Sequence, residues 1–173
     1  DYAEVHYNLG VTLRELGQIE EAIKSYKNAL SIKNTYPNAH YNLGNALVSI
    51  KQYDDAIKHF ESAVFFNPKF AQAYNNLGLL YKSLGKDFKA GKNFDKALAI
   101  KPDYDEAMNH RGVIFQNVGD FENAIKYYQK SLAINPKLAD AHNNIGLTEK
   151  ELNKTDNAIK SFEKALSIDS NFA

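Results

Sequence analysis

The sequence predicts an all-α chain, a right-handed α-solenoid of about ten helices in five helix-turn-helix repeats. Three observations carry that prediction. The first is an unbroken period: "YNLGVTL" from Tyr7, "YNLGNAL" from Tyr41, "NNLGLLY" from Asn75, "NHRGVIF" from Asn109 and "NNIGLTE" from Asn143 place a glycine at 10, 44, 78, 112 and 146, always 34 residues apart. A fixed period of this length marks a repeat architecture in which neighbouring copies bury each other. The second is a set of fixed small and aromatic positions. Numbering each copy 1 to 34, position 20 is always Ala (22, 56, 90, 124, 158) and position 24 always aromatic (Tyr26, Phe60, Phe94, Tyr128, Phe162). The third is punctuation. "LGQ", "LGK" and "VGD" mark a turn inside three copies, and Pro68, Pro102 and Pro136 close the middle three.

Within a copy each element follows from these positions. Positions 4, 7, 8 and 11 share one face of a first helix of about 14 residues, by the 3.6-residue period. The turn glycine suits a left-handed C-cap. Positions 20, 21, 24, 27 and 28 share a face of the second helix, where Gly at 8 and Ala at 20 permit close approach and the aromatic at 24 fills the crossing. Proline at 32 stops that helix. The copies run 3–36, 37–70, 71–104, 105–138 and 139–172, as one array over 1–173.

The pattern resembles the tetratricopeptide repeat (TPR): L-G, an aromatic three residues later, A-x3-F-x2-A and a closing Pro. The resemblance covers the whole chain. It implies that the first helices line a concave groove, with positions 2, 5, 6, 9, 12 and 13 pointing into it. Position 6 reads Asn8, Asn42, Asn76, His110 and Asn144. Asparagine is a mediocre helix former, yet its amide offers a donor and an acceptor to an extended backbone. First helices roughly 10 Å apart would meet about every third residue of a bound strand. This ladder is similar to that in the superhelical repeats of O-linked N-acetylglucosamine transferase. The plainer alternative is that the amides serve hydrogen bonding within the repeats. Position 5 divides the groove into aromatic rungs, Tyr7 and Tyr41, and doubled amides, Asn75, Asn109 and Asn143, while Asn45 adds a polar group at position 9. The carboxylate-clamp subgroup needs Lys at position 5 and Lys or Arg at 2 and 6 of a later copy; none is present.

Other classes are disfavoured. Lys plus Arg and Asp plus Glu are both 21, which argues against a phosphate-driven nucleic-acid binder. The chain has no cysteine, which removes thiolate catalysis and zinc–thiolate sites. No apolar run nears the roughly 18 to 20 residues that cross a bilayer, and a cytoplasmic, soluble protein is expected. His6, His40 and His142 recur at position 4, but copies roughly 10 Å apart cannot share a metal whose ligands sit about 2 Å from it. No cofactor, metal or catalytic constellation is expected, hence no enzyme.

Three features depart from the repeat. In "NHRGVIF", Arg111 stands at a core position, where its stem can cover apolar space while the guanidinium reaches a carboxylate such as Glu106. Copy three carries six Lys against three Asp, with Lys86, Lys89, Lys92 and Lys96 on the turn and second helix, facing outward. Copy five has Glu149 at position 11, Thr155 at 17 and Ser170 in place of the proline, leaving Ile159, Phe162, Leu166 and Ile168 without a cap. The leading expectation is a non-catalytic scaffold whose groove binds a protein partner or extended peptide. The alternatives are the substrate-recruiting arm of a larger glycosyltransferase or sulfotransferase, and an assembly scaffold forming end-to-end homo-oligomers through its C-terminal copy.

Overall fold

The structure, a computed structural model, describes residues 2–169. Ser170 and the end of the fifth copy at Phe172 lie outside them. Ten helices are found among the described residues: α1 (Tyr2–Glu15), α2 (Ile19–Ile32), α3 (Pro37–Ser49), α4 (Tyr53–Phe66), α5 (Ala71–Ser83), α6 (Asp87–Ile100), α7 (Asp105–Asn117), α8 (Phe121–Ile134), α9 (Ala139–Glu151) and α10 (Thr155–Ile168). This is the all-α repeat class the periodicity predicts, with two helices per copy. The chain forms two compact units, Asp1–Leu80 and Tyr81–Ala173.

In the first unit α1 packs on α2, α3 on α4, and α3 also rests on α2 and α1. The second unit repeats the scheme, with α7 on α8, α9 on α10, and α6 against α7 as α8 is against α9. The reason is visible at the crossing inside each hairpin. A Cβ built on Gly10 would lie 2.6 Å from the Tyr26 ring, and on Gly44 2.7 Å from Phe60. Gly112 meets Tyr128 at 2.5 Å and Gly146 meets Phe162 at 2.6 Å in the same way. Tyr26, Phe60 and Tyr128 are fully enclosed, and the position-20 alanines beside them are inaccessible. A side chain at position 8 would displace a ring with no room to move, so the glycine there is a packing requirement.

The turn between helices is built alike in all five copies. The amide after the turn residue reaches back five residues, as in Gln18 N–H to Leu13 C=O at 2.9 Å and Asp120 N–H to Phe115 C=O at 2.9 Å. This satisfies carbonyls the helix end would leave open, and it needs a left-handed residue one step earlier. Gly17, Gly85 and Gly119 supply it, whereas copies two and five use Lys51 (φ 61°) and Asn153 (φ 58°). Copy two therefore holds an ordinary side chain where the family of turns asks for glycine.

One lock aromatic is imperfectly satisfied. Tyr128 donates its hydroxyl to Gln116 Oε1 at 2.7 Å. Tyr26 is equally enclosed, but the residue at the Gln116 position is Arg14, which has no acceptor and turns its Nη1 to Asn42 Oδ1 at 3.3 Å. The Tyr26 hydroxyl is left buried and unpartnered.

Two outcomes follow for stability in urea. Lys51→Gly should raise stability by about 1 kcal/mol by relieving the left-handed lysine, and Asn153→Gly by less, because asparagine tolerates that conformation. Tyr26→Phe should leave stability unchanged or raise it, while Tyr128→Phe should lower it by about 1 kcal/mol through the orphaned Gln116 amide. A Tyr26→Phe variant as unstable as Tyr128→Phe would refute the hydroxyl assignment.

Candidate peptide-binding face

The first helices place position 6 next to position 5 of the preceding copy. In the first unit Asn42 Nδ2 donates to the Tyr7 hydroxyl at 3.0 Å and Asn76 Nδ2 to the Tyr41 hydroxyl at 3.1 Å. In the second unit Asn144 Nδ2 donates to Asn109 Oδ1 at 3.1 Å. The amino groups of these three asparagines are thus ties between successive copies, rather than bonds within a repeat. Asn76 is further engaged, its Nδ2 also reaching Asn45 Oδ1 at 2.8 Å.

The aromatic rungs are held from the sides as well. The Tyr7 ring lies between Tyr26 (6.1 Å between centroids) and Tyr36 (5.0 Å). Tyr41 lies between Phe60 (5.9 Å) and Phe70 (4.8 Å). Each is wedged between the lock aromatic of its own copy and the last residue of that copy, so both are half-buried.

The expected site residues divide accordingly. Asn8 is exposed, and Tyr7, Tyr41, Asn45, Asn76, His110, Asn143 and Asn144 are half-buried. Asn42 is only 8% exposed, and Asn75 and Asn109 only 5%. The doubled amide surface expected in the later copies is therefore reduced. Asparagine is smaller than tyrosine, and two of the three at position 5, Asn75 and Asn109, are buried, Asn109 accepting the bond from Asn144. A signal for these ties was present in the sequence as the pairing of positions 5 and 6 across a 35-residue offset.

Arg111 resolves differently from the expectation that named Glu106. Its Nε donates to Asp95 Oδ1 at 2.7 Å and its Nη2 to Asp95 Oδ2 at 3.3 Å, across to α6 of the preceding copy. The guanidinium carbon stands 4.1 Å from the Phe115 ring centroid. It crosses over Gly91, where an added Cβ would come within 3.3 Å of Nη1. Gly91 occupies position 21, which is Ile23, Ile57, Ile125 and Ile159 in the other copies. The two departures, Gly91 and Arg111, therefore meet, and the arginine covers the ground that the missing isoleucine leaves. The sequence reading did not single out Gly91; comparing position 21 down the copies would have found it.

Two of the three position-4 histidines, His40 and His142, also tie copies together. His40 Nε2 meets the Asn34 carbonyl at 2.9 Å, and His142 Nε2 meets that of Pro136 at 3.2 Å, the same place in its own copy. A carbonyl only accepts, so His40 carries its proton on Nε2 and its Nδ1 is an acceptor. The His59 Nδ1–H of α4 fills that role at 3.0 Å. Burial, with His40 beside it, pushes the His59 pKa down to about 4, and burial lowers that of His40. Asp55 opposes the shift at His59, and Lys27 and Lys58 reinforce it. His110 lies 5.4 Å from the Phe94 ring, and burial, with Lys82 adding repulsion, lowers it to about 4 as well. Among the described residues no three His, Cys, Asp or Glu side chains converge to hold a metal. Nor is any helix there long and apolar enough to cross a membrane.

These depressed histidines set a pH dependence. The unfolded chain, with histidines near 6.5, takes up protons before the folded chain does, whose His59 and His110 titrate near 4. Stability should be full above pH about 6.5 and fall steadily as pH drops toward 4. His59→Gln together with His110→Asn should flatten the melting temperature across that window. A wild-type profile that is already flat there would refute the assignment.

Comparison with known proteins agrees with this geometry. A family profile described as "TPR repeat" matches residues 12–50 and 44–85, and one described as "Tetratricopeptide repeat" matches 69–137 and 103–171. Among solved structures, a crystal structure of MamA is 27% identical with a TM-score of 0.84, covering 93% of this chain and 94% of that one. MamA from Desulfovibrio magneticus RS-1 superposes with a TM-score of 0.88 at 20% identity, over 100% of this chain and 98% of that one. YrrB, described as a TPR protein with an unusual peptide-binding site, gives 0.79 at 23% identity, over 96% of this chain and 86% of its own. No curated protein sequence matches the chain. With its fixed glycine, alanine and aromatic positions, its ten paired helices and profile matches along most of its length, the chain belongs to the tetratricopeptide repeat family.

Proposed function

We propose that this chain is a non-catalytic protein-interaction scaffold that holds an extended partner segment along the face of its first helices. The observation that carries the reading is the immobilisation of that face in the first unit. Tyr7 and Tyr41 are each fixed by two rings and one asparagine donor, so a ligand meets surfaces already in place. Preorganisation of this kind lowers the entropy lost on binding. The Asn76 amino group is spent on Tyr41 and Asn45, so its carbonyl oxygen is the atom offered to a strand N–H, while Asn8 presents its whole amide. Each such bond contributes about 0.5–1.5 kcal/mol net, giving weak, additive binding that tolerates varied side chains. The peptide-binding site named for YrrB supports the reading by analogy of fold.

Replacing all the asparagines would break the copy-to-copy ties, so the test uses exposed positions. p-Benzoylphenylalanine introduced at Asn8, Asn38 and Gln72, exposed on α1, α3 and α5, should photo-crosslink in source-cell lysate to one partner, with adducts spaced along a contiguous unstructured segment. The same label at Lys24 and Lys58, exposed on α2 and α4, serves as the comparison. Equal yields of the same partner from both sets would reject the first-helix face as the binding surface.

A further inference from the structure

Resting on the first-helix reading, we infer that the segment held by the first unit is a polyproline II helix, whose backbone carbonyls accept from the Tyr7 and Tyr41 hydroxyls. The hydrogen bonds at these rungs run in one direction. Arg14 can only donate, and its Nη1 reaches Asn42 Oδ1 at 3.3 Å, so Asn42 Nδ2 is the atom that meets the Tyr7 hydroxyl. Tyr41 accepts from Asn76 Nδ2 in the same way. Each hydroxyl is the acceptor in its tie, and its own proton has no acceptor among the described residues. A hydroxyl that accepts one bond donates a second more strongly. Asn45 accepts from Asn76 at Oδ1 and keeps its amino group to donate. With the Asn8 amino group, four donors then stand against two open carbonyls, those of Asn8 and Asn76. A backbone rich in carbonyls and poor in N–H groups suits such a face. Proline supplies one, since it carries a carbonyl and no N–H.

Spacing selects the conformation. The two rungs are one copy apart, about 10 Å by the usual distance between packed helices, and they are built alike. Tyr7 lies 5.0 Å from Tyr36 at 40°, and Tyr41 lies 4.8 Å from Phe70 at 42°. A partner must therefore repeat the same group on the same side after about 10 Å. In a β-strand the carbonyls on one side recur every second residue, at roughly 6.6 or 13 Å, and a step of three turns the carbonyl away. In an α-helix the carbonyls are spent on its own turns. Polyproline II has three residues per turn and rises about 3.1 Å per residue, so every third carbonyl returns to the same side after about 9.3 Å. It makes no internal hydrogen bonds, which leaves those carbonyls open. Tyr7, Tyr36, Tyr41 and Phe70 are each half-buried, and rings open on one side take proline rings as aromatic grooves do. Charge makes no competing demand, for α3 contains no Asp, Glu, Lys or Arg. Only the first two copies carry the tyrosine, so about two turns are gripped.

Fluorescein-labelled decaproline, titrated into the whole chain to millimolar concentration and followed by anisotropy, is the probe. Its mirror image, built of D-proline, has the same composition and apolarity but winds the opposite way, and serves as the comparison. The L form should bind about tenfold more tightly or better. Tyr7→Phe with Tyr41→Phe keeps the rings and removes the donors, and should weaken L-decaproline roughly tenfold, as two lost hydrogen bonds require. Its melting temperature verifies folding; if it does not fold, Tyr41→Phe alone should give about a threefold loss. Amide shifts should fall on α1 and α3, around Tyr7, Asn8, Tyr41 and Asn45. No binding of L-decaproline, equal binding of both mirror forms, full affinity in the Phe variants, or shifts confined to α2 and α4 would each overturn the inference. The photo-crosslinks from Asn8, Asn38 and Gln72 judge the first-helix reading separately. A proline-free segment captured there, with decaproline inert, would leave that reading standing and remove this one.

Discussion

The contact between the position-8 glycine and the position-24 ring is the constraint on which the hairpins depend. At Gly10, Gly44, Gly112 and Gly146 the space a Cβ would need is filled by the ring of Tyr26, Phe60, Tyr128 or Phe162. In the first, second and fourth copies the ring is enclosed because the helices are close, and the helices are close because the glycine carries nothing. Alanine at position 20 extends the same logic to the second helix. Dense packing permits few alternatives to such a fit, so the pair is fixed while the outer positions drift. Even the variation between Tyr and Phe carries a cost, since a hydroxyl at this depth destabilises unless it finds an acceptor. Tyr128 has Gln116; Tyr26 has none.

A hairpin fixed in this way still has to join its neighbour, and the joints are polar as well as apolar. Position 6 donates to position 5 of the copy before it, and the position-4 histidines of copies two and five bond the carbonyl at position 32 of the copy before them. These bonds lie on or beside the face proposed to hold a partner. A single set of residues thereby aligns successive copies and shapes the surface between them. Binding surface and inter-copy joint cannot be altered independently there.

The fold was legible in the sequence to an unusual degree because repetition supplies five readings of every position. The period, the turn glycines, the small positions and the lock aromatics each stood out as columns, and the ten helices follow from them. What a column does not display is contact between different columns in adjacent copies. The Asn42–Tyr7 and Asn76–Tyr41 bonds join position 6 to position 5 of another copy, and Arg111 finds Asp95 on another helix rather than Glu106 on its own. The burial of Asn75 and Asn109 was hidden for a related reason. An amide's outward or inward turn depends on the volume left by its neighbours, and side-chain type alone does not state it. Lys51 in a left-handed turn was disguised by the absence of the glycine that would have announced it.

The pairing of Gly91 with Arg111 bears on how such an array can change over generations. Tandem duplication, loss and recombination of 34-residue units keep the period intact, and by that measure any copy could be exchanged for any other. The borders say otherwise. Were copy three deleted, Arg111 would be carried to the flank of a copy whose position 21 is Ile57, with neither the vacant floor nor Asp95 beside it. A Tyr-bearing copy likewise needs a donor at position 6 of whatever follows. Each copy therefore carries a left edge and a right edge that must match, and inheritance of the array favours blocks that keep matched edges together over single units shuffled freely.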